Sequence, residues 1–421
     1  MNSKIKPNQN VSEAQKQIPV TRRQFYKIIG TFGLTSTLLG LSELTSFNFL
    51  PSSKALANSA SDVHANRYKK KTRFQLKLGT SQSAETLLKT RMGTLNFISD
   101  LESRTDGEVR VEFIGSNKLC NELTCVKLCQ EGDVDIFTTT TQNAAHRAPY
   151  MNVLDFPYLW PGRAAQYYFF YHSKSEKLFR EPIRKFHKLQ FLFTHCALRG
   201  IMMGKKFKDQ PKIMSIKGLE GKKLRVTSTQ LGRIAMKLLG TNPVPVAWKD
   251  TLRALEIGAI DGAETFSSAC AHGMVKAVTQ DIHCNLFAGN AHTSMNLNTF
   301  ENLDAYLQDA VMESSYLTQV QTQNANEAAL TNIIGITDPP LAGTIYNKYG
   351  VRNCIWPQEE LAKAEQMVSP KYNPDPWKKW IERLSRMAKV DNIFEELYSI
   401  ARQLPETTIP LDVEPRRWWK G

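Results

Sequence analysis

Two spacings of apolar positions alternate along the chain from residue 73 onward. Val109, Val111 and Phe113 recur at every second position around Arg110 and Glu112, the period of a half-buried strand. Arg73–Leu78 alternates in the same way and predicts a first strand, ending at Gly79-Thr80-Ser81-Gln82-Ser83. Between them, apolar residues at 84, 88, 92, 95, 98 and 101 follow helical spacing and predict one helix over 84–104. Leu119–Gln130 predicts a second helix, stopped at Glu131-Gly132-Asp133, and Val134–Thr140 a third strand.

The rhythm returns after residue 218. Lys223-Leu224-Arg225-Val226 reads as a strand, Leu231–Leu239 as a helix closed by Gly240, and Pro243–Val246 as a second strand. Leu252–Ile257 and then Gly258–Glu264 complete a second β-α-β-α-β series, so the pattern predicts an α/β protein with mostly parallel sheets. Between the two series lie an apolar loop, Leu154–Leu159, helices at about 164–172 and 175–187, and strands Leu189–Thr194 and Leu198–Met203 that meet near Ala197. Ser294–Asn298 predicts a further strand and Leu303–Ile334 one long helix, broken by Asp338-Pro339-Pro340. Helices over Leu361–Val368, Asp375–Lys389 and Asn392–Leu404 follow, and the tail Pro405–Gly421, with Arg416-Arg417-Trp418-Trp419-Lys420, is expected to pack over the surface.

Length, charge and targeting change this picture at one end. The chain has 421 residues, room for two domains. Thr21-Arg22-Arg23-Gln24-Phe25 precedes an apolar run at 28–50, and Ala55-Leu56-Ala57 offers a small-x-small cleavage site. That is a twin-arginine export pattern, with a retained membrane anchor as the alternative. Residues 1–57 hold seven Lys or Arg against two Asp or Glu, so about +9 of the formal +14 belongs to the rest. The excess is scattered in short runs without a nucleic-acid-binding module, so no nucleic acid is expected as a partner. The seven cysteines are expected mainly as core packing, with a bridge inside the 120, 125, 129 cluster as the alternative. The eight histidines show no paired metal spacing, and no metal or cofactor is expected.

Arg225 is the candidate for chemistry. Lying near a strand end in an open α/β sheet, it falls where such sheets bind ligands. A buried guanidinium must meet an anion or water, so a small carboxylate is the expected ligand, with a local Asp or Glu as the competing partner.

Five segments give the chain a family resemblance, among them Ala197-Leu198-Arg199-Gly200, which falls where such chains have a strand arginine. Arg104–Val111 is similar to a "T-G-G-x-V-x-V" turn and strand, Leu154–Tyr158 to an "L-x-x-P-[FY]" loop, and Gly218–Val226 to "D-L-x-G-x-K-[IL]-R-V". Trp248–Glu264 is similar to "[FW]-x-[ED]-x-x-x-A-L-x-x-G-x-[IV]-D-G-x-E". Together, over about 73–335, they resemble the solute-binding receptors of tripartite ATP-independent periplasmic (TRAP) transporters, of the dicarboxylate-receptor type. The resemblance implies a two-domain periplasmic-binding-protein-like α/β fold with crossing strands and a long bracing helix. Its expected divisions are a signal peptide 1–57, a leader 58–71, domain I at 72–196 plus 291–330, domain II at 197–290 plus 331–404, and a tail 405–421.

It further implies a periplasmic, non-enzymatic receptor that holds a carboxylate on Arg225 with help from Arg199 and closes around it. Integral membrane transporter subunits would be its partners. Glu264, Thr265, Trp248, Phe156, Tyr158 and Gln82 are the remaining expected ligand contacts. Thr265 stands where the family often has asparagine or tryptophan, which leaves the ligand's other end open; a sulfonate would fit an arginine clamp nearly as well. An exported oxidoreductase or an anion-sensing module are the rival readings. Against the first, the chain has no GxGxxG after the first strand and no GxSxG elbow.

Overall fold

β1 (Phe74–Thr80), β2 (Val109–Ile114) and β3 (Ile136–Thr140) are parallel neighbours, as are β5 (Lys223–Val226), β6 (Asn242–Pro245) and β7 (Gly262–Phe266). Two long antiparallel strands, β4 (Leu189–Gly204) and β8 (Val278–Asn296), run between the two sets. Nine strands thus form one sheet in the order β2-β1-β3-β8-β4-β7-β5-β6, with β9 (Arg352–Ile355) on β8. The computed structural model describes residues 68–420 apart from 228. The expected export signal, its cleavage site and most of the leader lie outside the described residues.

The halves expected from the apolar rhythm are present, joined by crossing strands and braced by a helix, Ala305–Ala329. That helix is tied to β4 through main-chain atoms. Gln319 accepts from the Thr194 amide at 2.8 Å and donates to its carbonyl at 2.7 Å, and Asn326 donates to the Cys196 carbonyl at 2.8 Å. Such fork-like amide bonds fix a buried helix to an otherwise saturated strand.

Several local expectations need correction. The helix over 84–104 is two helices, Ala84–Thr90 and Thr94–Arg104, split where Arg91 (φ 57) and Gly93 (φ 82) take left-handed conformations. Leu119–Gln130 is helical only from Cys125, because a Cys120–Cys125 disulfide closes the preceding residues into a loop. Within it, the Asn121 side chain accepts from the amides of Leu123 and Thr124, an Asx turn that competes with helix. The bridged alternative for the cysteines therefore holds for one pair, and the five others are buried thiols.

The two strands expected to meet near Ala197 are one unbroken β4. Of the expected strand Ser294–Asn298, the first three residues end a 19-residue strand, most of whose polar residues are buried, and Leu297 begins a short helix. The tail packs as expected. Trp418 lies 4.6 Å from the guanidinium of the fully buried Arg180, which is also flanked by Phe170 and Phe191. Among the described residues no carboxylate pairs with Arg180, whose bonds go to Ser175 Oγ and the Phe170 carbonyl, and burial pushes its guanidinium down to about 9.

Candidate functional site

β5, β7 and β4 lie side by side, so their residues project into one place. Arg225 pairs in register with Ala263 of β7, and Arg199 of β4 with Phe266. Glu264 sits between the two arginines. Its carboxylate takes Arg199 in a two-pronged pair, Nε to Oε1 and Nη2 to Oε2 at 2.9 Å, and both side chains are 2% exposed. Its carbonyl accepts from Arg199 Nη2 and from Arg225 Nη1, each at 3.2 Å.

Arg225 is left with a different balance. Its other contact is Nε to the Val246 carbonyl at 2.9 Å, so both its bonds go to neutral oxygens. Desolvation, with Arg199 close by, pushes its guanidinium down to about 10, while Glu264 and Glu122 oppose that shift. Two cations therefore share one directly paired carboxylate. Trp248 stands 5.6 Å from Arg225 and Phe266 4.6 Å from Arg199, so each guanidinium has an aromatic wall. Phe266 can occupy that place because Gly289 of β8 lies beneath it; a Cβ there would come within 2.4 Å of the ring.

These groups open onto a cleft of about 690 Å³ between the two strand sets. Of the expected contacts, Arg225, Arg199, Thr265, Trp248 and Gln82 line it. Glu264 lies behind, its carboxylate spent on Arg199.

Phe156 and Tyr158 do not line it, which corrects the expectation of aromatic cleft walls from that loop. Phe156 is fully buried edge-on against Trp377 and Phe394, and Tyr158 donates its hydroxyl to the Cys284 carbonyl at 2.9 Å. The loop is pinned to the back of β8 and to the C-terminal helices. His292 is buried against Phe191 with its Nδ1 2.9 Å from Ser294 Oγ.

Several lining residues were not foreseen. Glu122, at the centre of the disulfide loop, accepts from Ser81 Oγ at 3.2 Å and from Asn143 Nδ2 at 3.0 Å; burial raises its carboxyl against the pull of Arg225. Thr227 donates to Gln142 Oε1 at 2.8 Å, joining the segment after β5 to the segment after β3 across the cleft. His195, Thr140, Ala291, His272 and Lys249 also face it. Neutral hydroxyl and amide side chains outnumber the charged ones in this lining. Among the described residues no cluster of side chains is arranged to hold a metal ion, and no helix is long and apolar enough to cross a membrane.

Comparison with known proteins converges on one family. Residues 79–341 match the model of bacterial extracellular solute-binding protein, family 7. A relative from Salmonella typhimurium, the uncharacterized protein YiiZ, is 27% identical over 201 residues; the match spans 46% of this chain and 59% of that one. A TRAP periplasmic solute-binding protein of Anaerococcus prevotii, solved with bound D-glucuronate, superposes with a TM-score of 0.64 at 18% identity, covering 79% of this chain and all of the other. Another from Desulfovibrio salexigens, with bound orotic acid, gives a TM-score of 0.65 at 16% identity, covering 78% and 100%.

Proposed function

This chain belongs to bacterial extracellular solute-binding protein family 7, and from that premise we propose that it is the periplasmic receptor of a TRAP-type transporter for a small organic anion. The observation that carries the reading is Arg225. It is a buried cation (3% exposed) near the end of its strand, facing a cleft, and among the described residues only carbonyl oxygens are bonded to it. A ligand carboxylate supplies the anion that this arrangement lacks. Arg225 Nη2 makes no hydrogen bond within the described chain and is the edge offered to the ligand.

Arg199 then has a double task. Its pair with Glu264 holds both groups in position, and its Nη1, also unused within the described chain, reaches the same anion from the side. Trp248 and Thr265 close the cleft around it, and Gln82 contributes from the opposite strand set. β4 and β8 serve as the hinge, and the Thr227–Gln142 hydrogen bond holds the two sides together once they meet. The closed receptor presents its ligand to membrane permease subunits, and residues 1–57 direct export by the twin-arginine route.

A thermal-shift screen of the purified protein against organic acids tests the reading. An acid present at about 100 times its dissociation constant adds about 2.7 kcal/mol of stability. Arg225→Ala should then weaken that acid by about 2–4 kcal/mol in calorimetry, the range for truncating one side of a desolvated charge pair. Full affinity in the variant refutes the assignment. An absorbance spectrum with cofactor bands would favour the oxidoreductase instead.

A further inference from the structure

Among the described residues, no lysine or arginine lines the far end of the cleft to meet a second acid group. Thr140 of β3, Ala291 of β8 and His195 of β4 stand side by side in register across three adjacent strands, and all three line the cleft. Thr90 and Met92 line it as well. His195 and Arg199 share one face of β4 four residues apart, which places their Cα atoms ~13 Å from each other. Of the other titratable lining residues, Lys249 and His272 belong to the side of the cleft that carries Trp248, with His272 in the field of Glu85 and Lys89, and Glu122 lies in the disulfide loop.

His195 is the unusual member of that row. It is 2% exposed, and among the described residues neither ring nitrogen makes a hydrogen bond of normal geometry. Asn326 and the residue's own main chain are near enough to pull the ring upward against burial, without reaching hydrogen-bond geometry. Two further cleft-lining groups share this condition: Gln82 Oε1 and His272 Nε2 are buried without a partner. Buried polar atoms are satisfied by chain, water or ligand, and those in a binding cleft are set for a ligand. Burial holds the imidazole neutral, pushed down to about 4, so it offers one donor and one acceptor and no positive charge.

Building on the carboxylate reading of Arg225, we propose that His195 is a second ligand-contacting residue, and that the receptor selects monocarboxylates with a hydroxyl-bearing body over dicarboxylates. One hydroxyl of the ligand donates to, or accepts from, the His195 ring, and a neighbouring one meets Gln82. Glu122, held by Ser81 and Asn143, adds an acceptor that welcomes a hydroxyl and repels a second carboxylate.

Calorimetry on the exported form of the chain, with gluconate, hexanoate and succinate as probes, tests this. The expected result is that gluconate binds at least tenfold more tightly than either of the others. His195→Phe should cost gluconate tenfold or more and change hexanoate less than twofold, because hexanoate has nothing to offer the ring. His195→Asn, which keeps a donor and an acceptor, should recover part of the loss. Succinate binding as tightly as gluconate, or equal gluconate affinity in native and His195→Phe protein, overturns the proposal while Arg225-dependent binding persists. Should Arg225→Ala leave all three acids unchanged, the underlying carboxylate reading fails instead.

Discussion

Replacing Glu264 by glutamine separates the two roles of the arginines. The change preserves shape and leaves the main-chain carbonyl that both guanidinium groups use, but removes the carboxylate that neutralises Arg199. Both members of the pair are 2% exposed, with Arg225 alongside, so water cannot take over as the counter-charge. Removing one partner of a buried pair costs about 3–5 kcal/mol, chiefly because a charge is left behind. Two cations left with Glu122 as their nearby carboxylate, and no direct pair, place Glu264→Gln within that range. Deleting both charges, Arg199→Met with Glu264→Leu, should cost markedly less, since apolar replacements of buried pairs are often neutral. Urea unfolding at pH 7, read as the midpoint at constant slope, measures both. Ligand sharpens the test: saturating carboxylate should stabilise Glu264→Gln more than the native chain, because it meets two open cations there. Equal losses in the single and double variants, or a loss below about 1 kcal/mol for Glu264→Gln, would refute the shared-carboxylate account.

Three further outcomes follow from the packing. Trp418→Ala removes the ring over buried Arg180 and should lower stability by about 3 kcal/mol or more in urea unfolding, with little effect on ligand affinity. Cys120→Ser with Cys125→Ser opens a short loop, costing about 2 kcal/mol by chain entropy, and should weaken ligand binding in calorimetry because Glu122 loses its fixed position. Asp155, fully buried with a bond from Thr141, has its carboxyl raised by desolvation to about 7. A raised folded value gives stability that is complete below the unfolded carboxylate range and is lost as pH climbs from about 4 through 7. Asp155→Asn should flatten that slope in thermal unfolding between pH 4 and 8.

The sequence made the alternating halves legible because their strands follow the two-residue period and their helices the longer one. Arg225 stood out for the same reason: a charge between Leu224 and Val226 breaks an apolar strand and needs a cause. What stayed hidden depends on contacts made far along the chain. β8 contains Thr279, Gln280, Asp281, Asn290 and His292, all buried, and nothing local distinguishes them from a solvated loop. The loop at 119–124 reads as helix until the Cys120–Cys125 bridge and the Asn121 turn are known. Phe156 and Tyr158 carried the right motif, yet the C-terminal helices that bury Phe156 begin more than 200 residues later, so their distance from the cleft could not be read locally. His195 gave one faint signal, a histidine four residues before Arg199 in an apolar strand. Its missing hydrogen bonds appear only in three dimensions.

The most direct test joins one change in the ligand to one change in the protein. The acid that gives the largest thermal shift, and its methyl ester, are titrated into the native chain and into Arg225→Ala. With Arg225 as the carboxylate's partner, the native chain prefers acid over ester by tenfold or more, and the variant binds both alike. If the variant keeps the full preference for the acid, the negative charge is held elsewhere and the assignment of Arg225 is wrong.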